Sequence, residues 1–190
     1  MEYSWALPAL AVIPPTLAIF FNILSASAQI RNTKVQKTID IMIECNRRFT
    51  MLNSFANEIE LQNYDSEAKR REAAKKYYHS YWLLLWDQWV YFTHGFLPTY
   101  LYGEWIGQEA SFFKTKPKIL DIDYQEGWRL IRADQFISFE EFCVFVDFLE
   151  GIANDDPKTI ERKIAKRLKQ ILAQSRKVRA AFQQFAVQSQ

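Results

Sequence analysis

Few residues in this chain have the type and spacing to do chemistry. There are two histidines, His79 and His94, and two cysteines, Cys45 and Cys143. One acid, Asp87, is the only formal charge between Lys76 and Glu104. The histidines stand at opposite ends of that aromatic stretch, and neither has a neighbour at metal-ligand spacing. His79 reads as packed on Tyr78 and Trp82, and His94 as closing a helix C-terminus, where partial positive charge is favoured. Both cysteines sit in apolar runs and read as buried thiols, which fits a reducing compartment. Asp87 has two readings. Facing solvent or paired with a cation from another helix, it is structural; buried and unpaired, its proton would be held tightly and it would be a functional acid. Asp121, Asp123 and Glu126 are close in sequence but do not make a recognised cation-binding loop. With no glycine-rich phosphate loop and no nucleophile elbow, the sequence points to no catalytic residue, no metal and no cofactor. An interaction protein is favoured over an enzyme.

The clearest electrostatic feature is an uneven distribution of charge. From Lys158 onward the chain has nine Lys/Arg and one acid, Glu161, a net +8 within an overall +2, which leaves −6 on the rest. The basic residues Lys163, Lys166, Arg167 and Lys169 lie on one predicted helix. Three readings stay open for it: a solvated outer face, a surface for anionic lipid head groups, and a nucleic-acid surface. The last is weakest, because the helix has no aromatic stacking platform.

The elements that must position these residues are helices. Hydrophobic residues make up 49% of the chain and aromatics 16%, which argues for a well-filled core. There are only 5 Gly and 6 Pro among 190 residues, and no long stretch alternates apolar and polar residues. Residues 5–24, WALPALAVIPPTLAIFFNIL, are uncharged. Twenty helical residues span about 30 Å, the thickness of a bilayer's hydrocarbon core. Arg31, Lys34 and Lys37 follow, whereas only Glu2 precedes, so the positive-inside rule puts the N-terminus outside and the remainder in the cytoplasm. Ala26-Ser27-Ala28 resembles a cleavage site, but the acidic start lacks the basic region of a secretory signal. Pro14-Pro15 would interrupt the span's hydrogen bonding, either as a simple kink or as a break covered by neighbouring copies. Asn22 and the small residues from Ser25 to Ala28 suit helix-helix contact in lipid.

The expected fold is therefore all-α: a transmembrane anchor over residues 1–28 fused to a cytoplasmic bundle of about five helices over residues 29–190, with a basic C-terminal helix at 157–187. A stripe of Val35, Thr38, Met42, Cys45, Phe49, Leu52, Ala56 and Ile59 carries the first helix to about Glu60. Asn63 to Ser66 reads as a turn with an N-cap. A second helix runs from about Ser66 to Thr93, with Ala74, Tyr78, Trp82, Leu85, Trp89 and Phe92 inward. A second crossing over residues 81–102 is disfavoured by Asp87, Gly95 and Pro98, and by the basic tail it would export. A third helix opens at Pro98-Thr99 with Leu101, Trp105 and Ile106 inward, and residues 114–121 form a loop around Pro117. A short fourth helix covers Tyr124 to Arg132. Ser138 to Glu141 reads as a capping box opening a central helix to Ile152. Asp156-Pro157 opens the last helix.

The Tyr81-to-Trp89 run, Gly95 to Pro98, Trp105 and Gly127-Trp128 resemble a class of uncharacterised bacterial single-span, membrane-anchored helical proteins. More specifically, they are similar to the membrane-anchored HEPN-like accessory proteins of RNA-targeting CRISPR systems. That resemblance implies antiviral defence, homo-oligomers and a ring-shaped pore, with HEPN-like RNase activity as an alternative. The HEPN signature of Arg, four to six residues, then His is not met, because Arg71 and His79 are one residue too far apart. Taken together, the sequence leads to the expectation of a non-enzymatic, membrane-tethered subunit that self-associates or docks a partner at the cytoplasmic face, with lipid or RNA binding through the basic helix as the other reading.

Overall fold

The computed structural model describes the backbone of residues 7–134 and 140–188, and the side chains of residues 25–134 and 140–176. Within them are six helices and one hairpin: α1 (Leu7–Leu61), α2 (Glu67–Thr93), α3 (Thr99–Thr115), β1 (Lys118–Ile119), β2 (Ile122–Asp123), α4 (Tyr124–Ala133), α5 (Glu140–Ile152) and α6 (Pro157–Gln188). The protein is a helical bundle, and the chain divides into two compact units, Met1–Asp40 and Ile41–Gln190.

Met1–Asp40 holds α1 backbone from Leu7, helical through Pro14 and Pro15. The side chains of Pro14, Pro15 and Asn22, and those of the expected span as a whole, lie outside the described residues. Among the described residues, no helix is long and apolar enough to cross a membrane. In this unit Ser25 is exposed, as are Ile30, Val35 and Ile39.

Ile41–Gln190 is organised around α2. Ser66 caps it, its hydroxyl accepting from the Lys69 N–H at 3.4 Å. Past its C-terminus Gly95 turns the chain at φ +77°, a left-handed conformation that a side chain would strain. The whole predicted stripe is buried: Ala74, Tyr78, Trp82, Leu85, Trp89 and Phe92. Their rings meet partners on three neighbouring helices. Trp82 lies 4.5 Å from Trp128 of α4, Phe92 stacks 4.5 Å from Tyr102 of α3, and Trp89 lies 4.7 Å from Phe145 of α5. Each fully buried ring of this kind contributes roughly 1.5–3 kcal/mol by burial and about 0.5–1.5 kcal/mol more by pairing. α4 packs on α2, while α3 packs on α5 and α6.

The α1 stripe divides. Cys45, Leu52 and Ile59 are buried in the core, Met42 and Ala56 are half-buried, and Phe49 is exposed, as Val35 is in the first unit. The predicted loop around Pro117 contains a small antiparallel hairpin, pairing Lys118 with Asp123 and Ile119 with Ile122. Left-handed backbone at Lys116 ends α3 and at Leu120 turns the hairpin, two non-glycine residues whose identity gives no hint of it. The Tyr78 hydroxyl donates to the Ile122 carbonyl at 3.0 Å and holds the hairpin on α2. Asp123 then caps α4, accepting from the Glu126 N–H at 2.8 Å. The expected capping serine, Ser138, lies outside the described residues. Asp156 accepts from the Thr159 N–H at 3.1 Å, and Pro157 is the first residue of α6.

Candidate functional site

The least ordinary group in the bundle is Glu109. It lies on α3 in line with Tyr102, Ile106 and Phe113, at positions that face the core, and it is only 7% exposed. A carboxyl in such a place needs donors. Tyr81 of α2 supplies one, its hydroxyl lying 2.9 Å from Oε1 and 2.8 Å from Oε2. Tyr124, the first residue of α4, donates to Oε2 at 2.5 Å. The tyrosine positions are fixed by packing: the two rings meet edge to face at 5.9 Å, and Phe113 lies 4.9 Å from Tyr124.

Burial pushes the Glu109 carboxyl up to about 7, against the opposing pull of the two tyrosine hydroxyls. No cationic side chain among the described residues contributes to holding its charge. The tyrosines respond in kind, burial and the nearby carboxylate pushing Tyr81 and Tyr124 well above the usual phenol range. The cluster therefore holds one group that changes charge near neutral pH.

Glu109 also borders a cavity of about 200 Å³. Its floor is made by buried residues, among them Cys45, Tyr81, Leu84, Leu85 and Gln88. Its mouth is polar and exposed at Asn46 and Gln108, with Phe49 and Trp105 as aromatic walls. The Gln88 carbonyl oxygen is buried without a hydrogen-bond partner. Burial pushes the Cys45 thiol up to about 11, so it stays protonated at neutral pH and is a poor nucleophile. The site can accept hydrogen bonds and positive charge; it is not arranged for covalent chemistry. A larger groove of about 840 Å³ between α3 and α6 is lined by Gly103, Gly107, Ile160, Ile164 and Leu168. No buried unpartnered polar atom lines it among the described residues.

The residues singled out from the sequence are scattered. Asp87 is paired: Arg48 of α1 reaches it at 2.6 Å, and each side chain is about a quarter exposed. His79 is half-buried on α2, and His94 caps the end of α2 with a ring nitrogen 2.8 Å from the Val90 carbonyl. Of the basic residues on α6, Lys163 pairs with Asp155 at 2.6 Å and Arg167 is half-buried over the Phe148 ring, 5.9 Å from its centre. Lys166 and Lys169 are exposed. Asp121 and Glu126 pair separately, with Arg70 and Arg71. Among the described residues no group of three or more His, Cys, Asp or Glu is placed to hold a metal ion. Glu109 and Gln88 were missed by sequence reasoning. The available signal was spacing: Glu109 falls three residues after Ile106 and four before Phe113, where an apolar residue is expected.

Comparison with known protein families, with curated proteins and with solved structures finds no match for this chain.

Proposed function

We propose that the chain is a membrane-tethered subunit that acts by assembly, its copies meeting along α1 at the cytoplasmic face of the membrane. The observation that carries this reading is the surface of the Met1–Asp40 unit. Its large apolar side chains Ile30, Val35 and Ile39 are 73%, 53% and 42% exposed. A helix in water is stabilised mainly by burying an apolar face, and within this unit's described residues these side chains are exposed. The uncharged stretch at 5–24 and the basic residues just after it support a tether with the N-terminus outside. An amide at Asn22 and a small residue at Ser25 suit close helix approach, and neighbouring copies would cover the backbone groups freed at Pro14 and Pro15. The exposed Lys166 and Lys169 on α6 suit an anionic leaflet nearby.

Two measurements test this. The protein is expected to stay with the membrane pellet after alkaline carbonate washing. In neutral detergent, light scattering is expected to give a multimer, and the double variant Val35→Glu/Ile39→Glu a monomer. A wild-type chain that is strictly monomeric, or that washes into the supernatant, refutes the reading.

A further inference from the structure

We propose that the cavity beside Glu109 is a binding site for a small organic cation, a primary ammonium on a compact apolar body, received by the Glu109 carboxylate. This does not depend on self-association, because every residue involved lies in the Ile41–Gln190 unit.

Three features define the ligand class. The first is polarity. The buried acid that borders the cavity has spare accepting capacity: Glu109 takes two donors on a carboxylate able to take about four. A donor arriving with the ligand would fill the accepting positions that the two tyrosines leave open. The second is charge. With no counter-ion among the described residues, a cationic ligand supplies a partner for an ionised Glu109. The third is size and wall chemistry. At about 200 Å³ the cavity is far too large for a bare metal ion, since one water occupies about 30 Å³ of liquid. Phe49, Trp105 and Tyr81 offer ring faces or edges to an apolar body and to the cation itself. The gradient from a polar, exposed mouth to a buried floor gives the ligand a way in and a direction.

The titratable groups around the carboxyl leave it as the one that switches. Tyr77 and Tyr81 of α2, Tyr102 of α3, Tyr124 of α4 and Cys45 of α1 all hold their protons more tightly than usual because they are buried. Ligand affinity should therefore follow ionisation of Glu109: strong above neutral pH and weak below it, with a proton released on binding near pH 7.

The test is calorimetric titration of the 190-residue chain in neutral detergent with benzylamine, using benzyl alcohol as the uncharged control. Benzylamine is expected to bind at about pH 8.5 and to bind about tenfold more weakly at about pH 5.5. Near pH 7 its heat is expected to depend on the buffer's ionisation enthalpy. Glu109→Gln keeps an acceptor for the tyrosines but not the charge, and should weaken binding by about tenfold or more. Asn46→Trp, at the exposed mouth, should block entry with an unchanged thermal melt, so the proposal stays testable even if the Glu109 variant does not fold. Equal binding of the alcohol and the amine, affinity independent of pH, or no heat from the wild type overturns the proposal. So does undiminished binding by a folded Glu109→Gln variant.

Discussion

Tyr124 donates to Glu109 across 2.5 Å, tying the first residue of α4 to the core-facing side of α3. Tyr81 reaches the same carboxyl from α2, so three helices converge on one buried acid. Such a junction is specific because it is intolerant: a carboxyl away from water is acceptable only while its donors are in place. The chain between α3 and α4 serves this junction. The hairpin brings Tyr124 round to face Glu109, and Tyr78 holds the hairpin's second strand to α2.

Tyr124→Phe should therefore destabilise the bundle by about 1–3 kcal/mol, the usual effect of leaving a buried acceptor short of a donor. It should also push the Glu109 carboxyl further up, because one of the two hydroxyls that favour its ionised form is gone. Urea denaturation at two pH values measures both effects. Unchanged stability at every pH would mean that the hydroxyl contributes nothing.

The same carboxyl sets a pH dependence. Its value is near 4.5 when unperturbed and about 7 in the folded chain, so between those limits the folded state binds more protons than the unfolded one. Stability from this group is complete below about pH 4.5, falls as pH rises, and levels off above about 7, a change of about 3 kcal/mol at most. Glu109→Gln removes the titration, so wild type minus variant isolates it. A difference that stays level across this window, or rises with pH, contradicts the assignment.

The scaffold of this site was legible in the sequence, and its centre was not. The inward residues of α2 keep helical spacing from Ala74 to Phe92, and all of those named from the sequence are buried, because burying an aromatic face is what stabilises such a helix. Caps at Ser66 and Asp156 could be read because a short polar side chain before a helix has one main use there. Glu109 escaped because charge marks a residue as solvent-facing, and only the later meeting of Tyr81 and Tyr124 makes its position tenable. Periodicity also misled in one respect. Val35 and Phe49 keep the α1 spacing yet are 53% and 44% exposed, since a repeat shows which residues share a face and not whether anything covers that face. The hairpin was missed because two-residue strands have no periodicity, and its turn falls on Leu120 in place of glycine.

Gly127 offers a test of packing alone. A Cβ placed there would lie 2.5 Å from the Tyr78 ring, too close for any real contact. In an open helix, Gly→Ala stabilises by roughly 0.5–1 kcal/mol. Here the overpacking should outweigh that gain and leave Gly127→Ala about 1–3 kcal/mol less stable. Because Tyr78 also holds the hairpin, hydrogen exchange should increase at the Ile122 and Tyr124 amides. A variant as stable as wild type would show that the ring moves aside freely.

The Arg48–Asp87 pair joins α1 to α2 at 2.6 Å, with each side chain about a quarter exposed. Partial burial strengthens such a pair relative to a surface one, and it leaves a stranded charge when either member is removed. Asp87→Asn should cost about 1–2 kcal/mol and Arg48→Gln a similar amount, while the double variant should lose less than the sum, with a coupling of about 1 kcal/mol. The same cycle separates a structural role for Asp87 from a functional one. A structural acid is coupled to its partner, so Asp87→Asn should cost about 1 kcal/mol less when Arg48 has already been replaced. If Asp87→Asn costs as much with Arg48 replaced as with it present, Asp87 acts through something other than Arg48.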